Sequence, residues 1–519
     1  MNRLKKEQAI TLIALVVTLV ILIILAAVSM NMVLGDQGIF KKAQEGANSM
    51  HDAEVNTQVG FNSITDEIDR ITSGQNEKLV IPGPTPQPPT GGTEMDDMTN
   101  GIIEIKWLSG TSNNVSSSPN APLIKNDLPS GTTMEQVVFD EESSLWITGT
   151  EYSYIAGTGS NDNTASHWAN ARVTKDGVES YFVWIPRYAY RIIYFDSLES
   201  KTAYQEGTLS EEEAVEQEKI IGYSDSRGIV DGHGRRIESV TSESNTTHTM
   251  VSEDYFMVHP AFTNGVNNGY ANGEWDREIE GIWIGKYETS SVEGNDNNAL
   301  DDVTTKTAKV QQGISSWSRI SIGNAYIVAQ LFQPELESHM LKNSEWGAVA
   351  YLTESKYGRN GTELARDDTG TSGVTGGGEG CYITYPKQSS TGNVYGIYDL
   401  DKWNTKIEHV AAYYNGEDAD EEYLSNGSYF ASKNGASSKW VTTYNSSWAD
   451  TLGQAYKYGD ATFETSRWHE DSSSLAYKNY PFFYRGGYRA IIDDRSGVFA
   501  FEGGKGDADR CAFHIALVV

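Results

Sequence analysis

The sequence predicts an α+β chain: an N-terminal apolar α-helix, a stiff linker and a β-rich globular head. Three observations predict it. A nearly continuous apolar run opens at Ile10 and closes at Val28. A proline- and glycine-rich stretch, PGPTPQPPTGG, follows at residues 82–92. Beyond Gly101, short β-type runs alternate with clusters of Gly, Asn, Asp and Ser, the pattern of a strand-and-loop domain.

The apolar run, ITLIALVVTLVILIILAAV, is polar only at Thr11 and Thr18. About twenty apolar residues cross a bilayer as a helix. Arg3, Lys5 and Lys6 in the preceding residues 1–9 would keep the leader in the cytoplasm and place the rest of the chain outside. The run is too long for a secretory h-region, and no clean small-x-small cleavage site ends it. Ile39, Ala43, Ala47, Met50, Val59, Ile64, Ile68 and Ile71 continue a one-sided apolar stripe, interrupted by Gly46 and Gly60. The expected helical part is therefore residues 10–73. Residues 74–100 form the linker, and its proline-rich core in polyproline II form would hold the head roughly 30 Å off its base.

The head is expected to occupy residues 101–519. Strands are predicted at residues 102–107, 181–185, 189–195 and 281–287, and helices at about 326–333 and 344–353. Trp346, Val349, Ala350 and Leu352 give the second helix a buried stripe behind a Ser344 cap. The polar residues 197–245 read as an exposed insertion. The glycine-rich residues 370–380 read as a flexible loop, not a phosphate loop, because no Gly-Lys-Ser/Thr follows.

A net charge of −31 argues against nucleic acid as a partner, since phosphate backbones are bound by Lys and Arg. It suits a soluble, exposed surface protein. Cys381 and Cys511 are the only cysteines, so no disulfide framework is implied. The histidines lack the paired spacing of a zinc site. Asp296, Asp301 and Asp302, and Asp418, Asp420, Glu421 and Glu422, are candidate calcium ligands, but no loop has a known calcium-ligand spacing and solvated acidic loops are the favoured reading. No Ser-His-Asp constellation is marked, so no catalytic residue and no cofactor is expected.

The tail, residues 480–519, interleaves two kinds of residue. One is a frame of small and apolar residues: Phe482, Phe483, Arg485, Gly486, Gly487, Gly497, Val498, Phe499, Ala500, Phe501, Gly506, Ala508, Phe513, Ala516 and Leu517. The other has neither a two-residue nor a 3.6-residue period: Tyr488, Arg489, Ala490, Ile491, Ile492, Asp493, Asp494 and Arg495, then Gly503, Gly504, Asp507, Asp509, Arg510 and Cys511. An NNY codon encodes every amino acid except Trp, Met, Gln, Glu and Lys. All the irregular residues obey that limit, with Glu502 and Lys505 the nearby exceptions. No Asn occurs after Tyr480, although Asn is common earlier. Both facts follow if Asn codons were randomised at their adenines. An ordinary strand pair with a polar connecting loop is the plainer alternative.

The frame RGG…GVFAF…G.A…AF..AL resembles the variable region of proteins diversified by retroelements. FVWIPRYAYRI, GIWIGKYETS, NSEWGAVAYL and TGNVYGIYDL resemble the C-type-lectin-type fold of formylglycine-generating enzymes and cover most of the head. Two departures are DLDKWNTKIEHV at residues 399–410, a remodelled loop, and His514, where that family often has Arg. The resemblance implies a ligand-binding face made of Tyr484, Tyr488, Arg489, Ala490, Ile491, Ile492, Asp493, Asp494, Arg495, Glu502, Gly503, Gly504, Lys505, Asp507, Asp509, Arg510 and Cys511. Tyr488, Arg489 and Arg495 are the expected anchors, because Tyr and Arg dominate interface hot spots. Enzymes of this fold bind copper through two closely spaced cysteines; Cys381 and Cys511 lie far apart, so an oxidase is not expected.

KKEQAITLIALVVTLVILIILAAVSM resembles a type IV prepilin leader. The resemblance implies a prepilin peptidase cutting between Ala9 and Ile10, membrane insertion through Ile10 to Val28, and other pilin subunits as partners. The family usually has Gly at the Ala9 position and Glu at the Ala14 position, and the lost Glu leaves polymerisation into a pilus open. The expected function is a surface-displayed, pilin-like binding protein, of adhesin or receptor type, for a protein or glycan on another cell, a phage or a host. A structural pilin or pseudopilin is the alternative, and an enzyme the third reading.

Overall fold

The computed structural model describes residues 101–156, 166–194, 198–210, 220–221, 256–264, 274–293, 306–364, 375–377, 383, 386–401, 407–445, 457, 459–462, 464–465, 468–487, 496–507 and 511–519. All belong to one compact unit, Pro84–Val519. The expected leader, helix and linker lie outside the described residues, among which no helix is long and apolar enough to cross a membrane.

Among the described residues, helices combine with a larger share of strand, 18% against 31%. Its strands in chain order are β1 (Gly101–Leu108), β2 (Val115–Ser116), β3 (Thr132–Asp140), β4 (Leu145–Thr148), β5 (Asn170–Lys175), β6 (Val178–Pro186), β7 (Tyr188–Tyr194), β8 (Ile220–Ile221), β9 (Met257–Val258) and β10 (Gly281–Gly285). Then come β11 (Ser290–Ser291), β12 (Ala308–Lys309), β13 (His339–Met340), β14 (Ile407–Tyr414), β15 (Thr442–Tyr444), β16 (Phe482–Arg485), β17 (Phe501–Gly504), β18 (Cys511–Ala512) and β19 (Ile515–Leu517). The helices are α1 (Leu198–Gln205), α2 (Ile322–Phe332), α3 (Asn343–Glu354) and α4 (Glu421–Leu424).

A seven-stranded sheet runs β13-β19-β10-β6-β5-β3-β4. Its β6 is buried along most of its length, as a strand covered on both faces must be, and its sequence SYFVWIP is nearly continuous apolar. A second sheet, β2-β1-β7-β8 with β9 also on β7, starts from β1, whose Ile103, Ile105 and Trp107 point inward while Glu104 and Lys106 alternate outward. A third sheet runs β15-β14-β16-β17, with β18 parallel to β14. The C-terminal tail thus serves two sheets. It supplies β16, β17 and β18 to the third and β19 to the first, where β19 lies between β13 and β10.

The four strands expected from sequence are present as β1, β6, β7 and β10. Both helices are also present, with shifted starts. Helix α2 begins at Ile322 because Ser321 caps it, its side chain accepting from Asn324 N, and because Ile322 N donates to Gly506 O at 3.0 Å. Ser344 is not the cap of α3. The helix starts one residue earlier, and the Glu345 carboxylate reaches back to accept from Lys342 N at 2.9 Å.

Two expected loops carry structure. Within residues 197–245, α1 is tied to β1 by Tyr204, whose hydroxyl donates to Glu104 at 2.7 Å, and β8 pairs with β7. Within residues 370–380, Thr375 is buried and Gly376 N donates to Asp399 Oδ1 at 2.8 Å. The Gly376 contact gives a reason for the departure at 399: Asp399, buried and at φ +67°, also accepts from Glu288 N.

Candidate functional site

The tail is fixed from its first strand. Arg485 ends β16 and is fully buried. Its guanidinium donates to Asn343 Oδ1 at 3.0 Å, to Ala461 O at 2.9 Å and to Asp460 O, and lies over the Trp346 and Phe501 rings. A planar five-donor fork suits such a junction of carbonyls and aromatic faces better than a lysine would. Burial lowers its pKa, opposed by the nearby Asp460 carboxylate. Gly486 follows in the left-handed region at φ +75°, and a Cβ there would sit 2.7 Å from Leu400 O. Trp346 on α3 donates from Nε1 to Val498 O at 2.6 Å, holding the far side of the same segment. Every frame residue of the tail that is described is buried. Ala508 lies outside the described residues.

The end of the tail is held by a buried ion pair. His514 Nδ1 lies 2.8 Å from Glu408 Oε1, and its Nε2 lies 3.2 Å from Tyr398 O. Both ring nitrogens therefore face acceptors, which suits an imidazolium. Burial is the largest influence and opposes that charge, but the Glu408, Glu288 and Asp399 carboxylates together raise the His514 pKa; burial also raises the Glu408 pKa, against the pull of His514.

The expected binding-face residues divide three ways. Residues 488–495, Asp509 and Arg510 lie outside the described residues, as do Ala9 and Ile10; this covers the expected anchors Tyr488, Arg489 and Arg495. Glu502, Gly503 and Lys505 are half-buried and Asp507 is exposed, so these four do present surface. Tyr484, Gly504 and Cys511 are a correction, because all three are buried. Tyr484 and Cys511 pack together, and the Tyr484 hydroxyl accepts from Gly506 N at 2.9 Å. A Cβ on Gly504 would fall 1.9 Å from the Tyr484 ring. Cross-strand pairing explains this: Tyr484 opposes Glu502 in the β16–β17 ladder, and its ring lies over Gly504, leaving no room for a larger residue.

Sequence reasoning missed the neighbours of Lys505. Its ammonium lies 4.8 Å from the Tyr423 ring centre and 5.7 Å from that of Tyr480. Tyr480 stands 5.3 Å from Tyr477, and Tyr429 on the connected segment is 64% exposed. Interaction with Tyr423 raises the Lys505 pKa. The signal in the sequence was Tyr423 directly after the acidic run 417–422, read there only for charge. Such a surface offers hydrogen bonds, ring faces and both signs of charge. It suits recognition.

Cys511 carries a thiol, not half of a disulfide, and Cys381 lies outside the described residues. Among the described residues, no group of three or more His, Cys, Asp or Glu side chains is arranged to hold a metal. Three of the four described acidic candidates have other partners: Asp418 accepts from the Tyr414 hydroxyl, Asp420 from Glu422 N at the start of α4, and Glu421 pairs with Lys433. Asp296, Asp301 and Asp302 lie outside the described residues.

A scan of the chain against protein-family models gives no match, and a search among curated proteins gives none.

Proposed function

We propose that this chain is a surface-displayed, pilin-like binding protein whose C-terminal face is diversified by a retroelement. In this reading Ile10 to Val28 anchors it in the membrane after a prepilin peptidase has cut at Ala9–Ile10, and the head projects outward on the linker. The ligand is a protein or glycan on another cell, a phage or a host. Other pilin subunits are candidate partners, and no catalytic group or cofactor is invoked.

One observation carries the proposal. The irregular residues of the tail all fit a randomised NNY codon while following no structural period, and every described residue of the small and apolar frame around them is buried. A chain can exchange surface side chains at a cost usually within about 0.5 kcal/mol while its core stays fixed. The burial of Tyr484, Gly504 and Cys511 narrows the variable set and leaves the division itself in place.

Deep sequencing of the gene and its surroundings in one clonal population tests the proposal. A near-copy of the segment encoding residues 480–519, with AAY at the irregular positions, a neighbouring reverse transcriptase and changes confined to those adenines are expected. An invariant tail without a second copy would overturn diversification and leave a structural pilin head.

A further inference from the structure

The two ends of the seven-stranded sheet differ. At one end β13 is buried. At the other, β4 is the last strand, and no described strand pairs with its outer side. Its sequence LWIT alternates about the sheet. Trp146 turns inward and is 5% exposed, its ring 5.4 Å from that of Phe139 and 5.5 Å from that of Tyr395. Leu145 and Ile147 turn outward and are 62% and 45% exposed. Val138, opposite Ile147 on β3, is half-buried and shares that outward face.

The register decides which main-chain groups look outward. Gly149 N donates to Gln136 O at 3.1 Å. Along an antiparallel strand, residues alternate between bonding to the neighbour and turning away from it. Ile147, two residues before Gly149, therefore bonds toward β3. Trp146 and Thr148 direct their N–H and C=O groups at the open edge. Such an edge is a template for a further strand, and proteins blunt it with charges, proline or a bulge. Within β4 there is no charged residue, no proline and no shift of register.

The surrounding charge selects the added strand. No Lys or Arg occurs between Lys125 and Arg172. Asp140, Glu141 and Glu142 precede β4 and Glu151 follows it, the three glutamates being exposed. Burial raises the Tyr395 pKa most among the upward influences, and Glu141 and Glu151 add to the rise, so both carboxylates lie near that ring beside Trp146. Cations on the adjoining strands are engaged elsewhere. Arg172 pairs with Glu135 at 2.6 Å and with Glu179 at 3.1 Å, and Lys175 donates to Phe332 O. Lys286 is buried beneath Trp146 and donates to Val394 O and Gly396 O. A second copy of this chain would bring the same acids against themselves, whereas a strand with basic ends would meet opposite charge.

We propose that the open edge of β4 pairs with an extended segment of another protein, apolar at its centre and basic at both ends. The centre would cover Leu145 and Ile147, and main-chain bonds to Trp146 and Thr148 would hold it as an added strand. This edge lies at the far end of the sheet from β19 and does not depend on the reading given to the tail. Fluorescence anisotropy of a labelled peptide, Lys-Lys-Val-Thr-Val-Lys-Lys, titrated with the full-length chain in detergent, tests it. The peptide is expected to bind with a Kd below roughly 1 mM, and its counterpart with Glu at every Lys at least about tenfold more weakly. Thr148→Pro removes one outward N–H and spares the β3 side, since proline is tolerated where a strand's N–H faces away from the sheet. It should weaken the basic peptide about tenfold or more. Thr148→Val, which loses the hydroxyl bond to Glu135 but keeps the N–H, should bind as the unaltered chain does. If Thr148→Pro loses stability, Ile147→Lys at its exposed position decides the matter, with a similar weakening expected. Absence of binding by the basic peptide, equal binding of the acidic one, full binding by Thr148→Pro or Ile147→Lys, or dimerisation of the chain through this edge instead would overturn the proposal.

Discussion

The two halves of the tail behave as different materials. In one, Phe482, Phe483, Arg485 and Gly486 are buried, and Arg485 gives its donors to Asn343, Ala461 and Asp460. In the other, Glu502, Gly503, Lys505 and Asp507 sit at the surface only a strand away. Their described bonds run through the backbone as much as the side chains: Asn426 Nδ2 donates to Lys505 O, and Gly503 and Gly504 hold their places in the β16–β17 ladder. A surface held by backbone hydrogen bonds can change its side chains without losing its shape. The contrast teaches that structural demand covers most of the described tail and spares a few positions, Glu502, Gly503, Lys505 and Asp507 among them.

The sharpest way to break this contrast is Arg485→Ala. Removing a buried guanidinium strands Asp460 and the carbonyls around it, so a loss of about 3–5 kcal/mol is expected in chemical denaturation. An effect as small as that of a surface substitution would mean that the frame does not carry the fold.

A smaller effect probes the frame's outer support. The His469 ring stacks on Phe499, and its folded pKa is raised from 6.5 to about 9. A base with a raised folded pKa contributes stability that is complete below the unfolded value and disappears as pH climbs through the folded one. Stability should therefore fall between pH 6.5 and about 9, by at most about 3 kcal/mol. His469→Asn, an exchange suited to the left-handed φ of +55°, should remove that part of the slope, read as Tm against pH. An identical slope in both proteins would place the pair outside the stability of the frame.

Much of the fold was legible because periodicity reports burial. The alternating GIIEIKWL and the continuous SYFVWIP each gave a strand, and Trp346, Val349 and Leu352 gave α3. The helix starts were not legible for two reasons: α2 is fixed by a distant partner, Gly506 O, and α3 by a local Glu345 carboxylate turned back on Lys342, whereas the sequence points to a Ser344 cap. The order of the seven-stranded sheet, with the last strand inserted second from one edge, is likewise a matter of long-range pairing. In the candidate site, the lack of periodicity marked the irregular residues but could not show that Tyr484 lies over Gly504, or that Cys511 packs with Tyr484. Those are cross-strand contacts, set by a register that composition does not encode. Lys505 among tyrosines from two other segments was hidden for the same reason.

The most direct measurement is a folded-fraction screen of single substitutions across residues 480–519, reading protease resistance for every variant. Frame positions should lose the fold with nearly any change, and Tyr484, Gly504 and Cys511 should group with them. Glu502, Lys505 and Asp507 should tolerate most residues within about 0.5 kcal/mol. Equal sensitivity at Lys505 and Phe501, or free exchange at Arg485, would contradict the division of the tail into a fixed frame and an exchangeable face.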